Sequence, residues 1–172
     1  MSDDGDELEY EYEEPVYLGD RRFFEFVDLG GRPDGGTIGG KVGPCAARPA
    51  YLTEPTNLVL RVEEAWRTPY SELTCEHVRT LLEQKMALEA LAEPILEFAA
   101  RYPTVFISNY PGETGLLALR AAEDLLEVAP KQFREWLQGD FAWMDEAFAF
   151  SRSLRREAEE ALTAARARAA TR

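Results

Sequence analysis

Residues 71–136 read SELTCEHVRTLLEQKMALEALAEPILEFAARYPTVFISNYPGETGLLALRAAEDLLEVAPKQFREW. Apolar residues recur in this stretch at spacings of three and four, the repeat that gives an α-helix one buried face. Pro and Gly punctuate the runs, most sharply at Asn109-Tyr110-Pro111-Gly112-Glu113. Such a chain folds by packing short helices on one another. The fold class expected is mainly α: a helical bundle-like single domain with a small N-terminal β or irregular segment and a long C-terminal helix.

Local signals place the elements. Residues 22–27, RFFEFV, are aromatic and strand-like. Residues 30–44 hold seven glycines in fifteen positions and are expected to turn repeatedly without a helix. Residues 57–62, NLVLRV, fit a strand or the start of a helix, with helix favoured over 60–66. Thr74 is a helix N-cap with Glu76 in the first turn. Val78, Leu81 and Leu82 follow on one face. Pro94 suits the first turn of a new helix carrying Ile95, Leu96 and Phe98. One helix is expected through Leu116, Leu117, Leu125 and Leu126, another from Pro130, and a last one from about 140 almost to 171. The apolar face of its second half is mostly alanine, which buries little area, so 152–172 are expected to project, to fray or to contact a partner.

Charge divides the chain of 172 residues. Of 32 acids and 19 bases, nine acids and no base fall in residues 1–20. The rest carries 23 acids against 19 bases, and residues 151–172 carry six arginines against three glutamates. Residues 1–14 form an acidic head, expected to be solvated, ahead of a single domain over 15–172. An acidic head disfavours nucleic acid, since phosphate contact needs cationic surface, and favours a basic partner. No apolar run reaches the length of a membrane span. The acidic N-terminus is unlike a signal peptide, and two cysteines thirty positions apart suit a reducing compartment, so a cytoplasmic location is expected.

Catalytic constellations are weak. Residues 35–41, GGTIGGK, match GxxxxGK, but Val42 stands where a phosphate loop needs Ser or Thr, and GPCAARP follows instead of a helix. His77 is the only histidine, and Cys75, two positions away, does not share its helix face. No His/Cys cluster has metal spacing, and no cofactor is expected.

The central stretch resembles immunity proteins of bacterial contact-dependent growth inhibition and related polymorphic toxin systems. The residues that carry the likeness are Leu73-Thr74, Arg79, Leu81-Leu82 and Gln84; then Leu88, Leu91 and Pro94; then Tyr110, Gly112 and Glu113 before Leu116-Leu117; and finally Trp136. It covers about residues 57–137. The resemblance implies a cytoplasmic antitoxin that occludes the toxin domain of a secreted effector, often a basic nuclease. The partner-binding residues expected are Glu9, Glu11, Glu13, Glu14 and Asp20 of the acidic segment, with Tyr110 and Glu113 displayed together on the Pro-Gly turn. The rival readings are an adaptor or self-associating structural protein docking through the C-terminal helix, and a hydrolase or nucleotide-dependent enzyme using the 35–41 loop.

Overall fold

A computed structural model describes residues 16–33, 35–46 and 54–171. Among them the protein is mainly helical. The helices are α1 (Ile38–Val42), α2 (Asn57–Arg67), α3 (Cys75–Glu83), α4 (Leu88–Arg101), α5 (Glu113–Arg120), α6 (Ala122–Val128), α7 (Pro130–Leu137), α8 (Trp143–Ala147) and α9 (Arg152–Thr171). Among the described residues, extended pairing is limited to isolated bridges, such as Tyr17 with Phe106 and Arg22 with Thr74.

Helix α4 is the centre. Leu88, Leu91, Ala92, Ile95, Leu96, Phe98 and Ala99 are buried, and α1, α3, α5, α6 and α7 all pack on it. A helix apolar on most sides belongs inside a bundle. It is set off from α3 by a Schellman turn. Lys85 takes a left-handed conformation (φ 54°), its N–H donates to Leu82 O, and the Met86 N–H donates to Leu81 O. That turn ends α3 at a residue with no glycine to mark it.

Pro94 corrects the sequence expectation. It is the seventh residue of α4, not the opening of a new helix. A proline there has no N–H for the carbonyl four residues back, leaving Ala90 O without its helical donor. Arg32 supplies one: Nη2 donates to Ala90 O at 2.5 Å while Nη1 donates to Leu29 O at 2.8 Å. A side chain 58 residues away in sequence thus completes the interrupted helix, which no local pattern could reveal.

Other boundaries also move. Within residues 22–27, Phe23–Glu25 form one turn of 3₁₀ helix rather than a strand, and Arg22 makes only an isolated bridge with Thr74. Phe23 and Phe26, three apart, both meet Phe98 of α4, with ring centroids at 5.2 and 6.0 Å. The glycine-rich segment does hold a helical turn, α1, because the Thr37 hydroxyl accepts the Gly40 N–H and Ile38 is wholly buried. Helix α2 begins at Asn57, three residues earlier than 60, under the Thr56 cap. The helix expected through Leu116 and Leu126 breaks at Ala121 into α5 and α6. The last helix is two, α8 and α9, and Phe150 between them is 84% exposed.

Helix α9 does not project. Ala158, Leu162 and Ala165 are buried, and it lies along α5, α6 and α7. Small side chains let it approach closely, and Arg120 to Glu157 (2.8 Å) and Arg168 to Glu123 (3.3 Å) tie its exposed flanks to α5 and α6.

The Arg32 cap is testable by a double-mutant cycle. Arg32→Ala should destabilise the protein by about 1.5–3 kcal/mol in urea unfolding. In a Pro94→Ala background, where the helix supplies its own N–H to Ala90 O, the loss should be smaller. Equal losses in both backgrounds would assign the role of Arg32 to other contacts.

Candidate partner-binding surface

The Pro-Gly turn starts the site. Gly112 has φ 78°, and a Cβ there would lie 2.8 Å from Ala147 Cβ and 2.9 Å from the Trp143 ring. Both the backbone conformation and the close approach require glycine. Glu113 is the first residue of α5, but its side chain turns back over the loop before it. One oxygen, Oε2, accepts the N–H groups of Ser108 (3.3 Å) and Asn109 (3.2 Å). The other, Oε1, accepts Asn109 Nδ2 (2.6 Å) and Arg79 Nε (2.8 Å).

Glu113 is therefore 1% exposed and is not displayed, contrary to the sequence expectation. It clamps the 105–111 loop from beneath. Arg79, buried on α3, is held further by Glu83 at 3.0 Å. A sequence signal for this was present: Cys75, Arg79 and Leu82 share one face of α3, which puts a cation among core positions. Tyr110 is also packed rather than presented. It is half-buried, edge-on to Phe148 at 6.2 Å, and burial raises its hydroxyl above the usual range, partly offset by nearby Arg120.

Against the clamped loop lies the entry of the N-terminal segment. Leu18 N–H donates to Phe106 O (2.9 Å) and Phe106 N–H to Val16 O (3.1 Å). The same segment completes α3: the first amides of that helix, Cys75 and Glu76, donate to Arg21 O (2.9 Å) and Gly19 O (3.0 Å). These are donors that a helix start leaves without an internal partner. Val16 is 64% and Tyr17 50% exposed, and Asp20 is exposed beside them. Partial burial and the charges of Asp20 and Glu76 hold the Tyr17 hydroxyl above the ordinary tyrosine range. Glu76 pairs with Arg61 of α2 at 3.7 Å.

Val16, Tyr17, Asp20, Glu76 and the 105–111 loop thus lie together, with Val16 and Tyr17 exposed beside Asp20, while Glu76 is paired with Arg61 and exposed Arg21 follows Asp20. The structure brings Asp20 to this surface and puts Tyr110 and Glu113 in its supporting layer. Glu9, Glu11, Glu13 and Glu14 lie outside the described residues, N-terminal to Val16. Sequence reading missed Val16 and Tyr17, because an aromatic beside an acidic run gives no sign of which side will be covered.

The residues weighed for chemistry serve the fold. His77 completes the capping box of α3: its N–H donates to Thr74 Oγ1 (3.2 Å), and its Nδ1 accepts the Thr74 N–H (3.3 Å). Cys75 is wholly buried, and burial, with a smaller push from Glu25, raises its thiol to about 12. A thiol held neutral is a poor nucleophile. Among the described residues no group of three His, Cys, Asp or Glu stands where it would hold a metal ion, and no helix is long and apolar enough to cross a membrane. Comparison with protein-family models, with curated proteins and with solved structures finds no match to the chain.

Two outcomes are expected. Glu113→Gln should cost about 3–5 kcal/mol in urea unfolding, since it leaves Arg79 buried without its strongest partner. A loss below about 1 kcal/mol would show that Glu83 alone satisfies Arg79. In native protein at neutral pH, a disulfide thiol reagent should modify Cys45, which is partly exposed, and leave Cys75 untouched until denaturant is added. Rapid modification of both would contradict the inert environment of Cys75.

Proposed function

We propose that this protein is an immunity-type antitoxin that binds a basic toxin domain and blocks it by occlusion. The observation that carries the reading is a junction. Nine acids in residues 1–20 lead directly into an ordered edge where Val16 and Tyr17 are exposed beside Asp20 and Glu76. A dense negative segment draws a basic partner from a distance, and the exposed apolar pair Val16 and Tyr17 then fixes its position. The loop on which this surface rests is held by buried charge, so the surface is preorganised for docking. Occlusion requires no reacting group.

The likeness of the 57–137 region to immunity proteins agrees with this reading and supplies the class of partner: a toxin domain, often a nuclease, that carries a cationic surface. A cytoplasmic site of action belongs to the same proposal. The arginines of α9 weigh against the adaptor reading. Arg155 pairs with Asp145 (2.6 Å) and Glu159, Arg156 with Glu160, and Arg168 with Glu123, so these three arginines already have partners within their own fold.

Capture from the native host with tagged protein, followed by mass spectrometry, tests the partner class. Recovery of the C-terminal part of a large secreted protein is expected; recovery of only the chain itself contradicts the reading. With the partner in hand, amide replacement of the nine acids in residues 1–20 should slow association. The effect should be greatest at low salt, because screening shortens to about 10 Å near 0.1 M. Tyr17→Ala should accelerate dissociation while changing stability by less than about 1 kcal/mol. Association rates independent of both charge and salt would remove the steering role.

A further inference from the structure

Tyr17, Phe106 and Pro111 lie side by side in short extended stretches. Phe106 is in the middle, bridged in parallel to Tyr17 and antiparallel to Pro111. The two outer edges differ. Proline has no N–H, so Pro111 offers no donor to a further strand. The Tyr17 edge has both a donor and an acceptor. In an extended chain the N–H and C=O of one residue point to the same side, and those of its neighbours to the other. The Phe106 N–H donates to Val16 O and the Leu18 N–H donates to Phe106 O, so both backbone groups of Tyr17 point away from Phe106. Neither has a hydrogen-bond partner among the described residues. Val16 is 64% and Tyr17 50% exposed.

This edge is held in shape. The Tyr17 ring lies against Phe106 with centroids at 5.6 Å, and its hydroxyl packs so closely on Gly19 that a Cβ there would collide with it. A strand edge with donor and acceptor bare is a template for one more strand. Charge decides which strand. Eight acids and no base precede Val16, and Asp20 is exposed just beyond Tyr17. Pairing with a second copy would set two such segments side by side, which like charges oppose. A basic strand meets the opposite sign.

We propose that this edge works by strand addition: an extended segment carrying Lys or Arg at alternate positions pairs its backbone with the N–H and C=O of Tyr17. The inference rests on the antitoxin reading for the source of that segment, a cationic toxin domain, whereas the edge itself is testable without a toxin.

Amide-resolved hydrogen exchange of the full chain tests it, with an eight-residue Lys/Val-alternating peptide as the added strand and a Glu/Val-alternating peptide as its charge control. In the free protein the Tyr17 amide should exchange fast and the Leu18 amide slowly. Saturating Lys/Val peptide should slow Tyr17 exchange at least about tenfold, and Glu/Val peptide should leave it unchanged. Tyr17→Pro removes the outward N–H but no bond to Phe106. It should bind the Lys/Val peptide about tenfold more weakly than Tyr17→Ala, with Leu18 protection reporting that the bridge persists; if that protection is lost, the wild-type exchange pattern decides alone. A Tyr17 amide already slow in the free chain, one still fast at saturating Lys/Val peptide, an equal response to both peptides, or equal binding by the two bridge-retaining variants would overturn the proposal. A captured toxin that leaves the Tyr17 amide fast would overturn strand addition alone. A chain that takes the Lys/Val peptide but captures no toxin would lose the antitoxin reading alone.

Discussion

Taking a carboxylate and a guanidinium out of water costs several kcal/mol per ion unless each finds close and complete partners. Arg79 and Glu113 meet that demand with four donors converging on one carboxylate and a second acid on the guanidinium. The geometry they satisfy is specific. It fixes the start of α5 against α3 and holds the backbone of Ser108 and Asn109 in one shape. That loop in turn receives the chain at Leu18, and the chain at Gly19 and Arg21 completes the first turn of α3. Three segments distant in sequence are thereby locked by a ring of polar contacts around a buried ion pair. Apolar packing alone, being non-directional, would not select this arrangement.

A comparable device works at α4 itself. Pro94 breaks the hydrogen-bond ladder of the central helix, and Arg32 restores an acceptor's partner from outside. The residue that repairs the helix also lines a cleft beside the glycine-rich segment. The two devices share a theme: an arginine among apolar residues fixes a backbone, and the backbone shapes a surface.

Much of the helical architecture was legible because it depends on local signals. Thr74, Pro130 and the apolar spacing of α3 and α4 mark their own positions. What escaped was decided at long range. The aromatic run at 22–27 has alternation enough for a strand, but Phe23 and Phe26 both seek Phe98, and a spacing of three makes a helical turn. Pro94 reads as a boundary unless Arg32 is known to lie over Ala90. The break at Ala121 and the split between α8 and α9 likewise follow from packing on neighbours. At the site, an acid after Pro-Gly looked exposed because helix starts attract acids. Its burial depended on Arg79, thirty-four residues earlier. Asp20 is exposed, as are Val16 and Tyr17, which carried no signal of their exposure.

In the proposed function, the acidic segment recruits and the Val16/Tyr17 edge docks. Hydrogen exchange of the chain, alone and saturated with its captured partner, tests this most directly. Protection should concentrate in residues 16–20 and 105–111, with α9 unchanged. Protection confined to α7 and α9, with 16–20 and 105–111 exchanging as in the free protein, would contradict it.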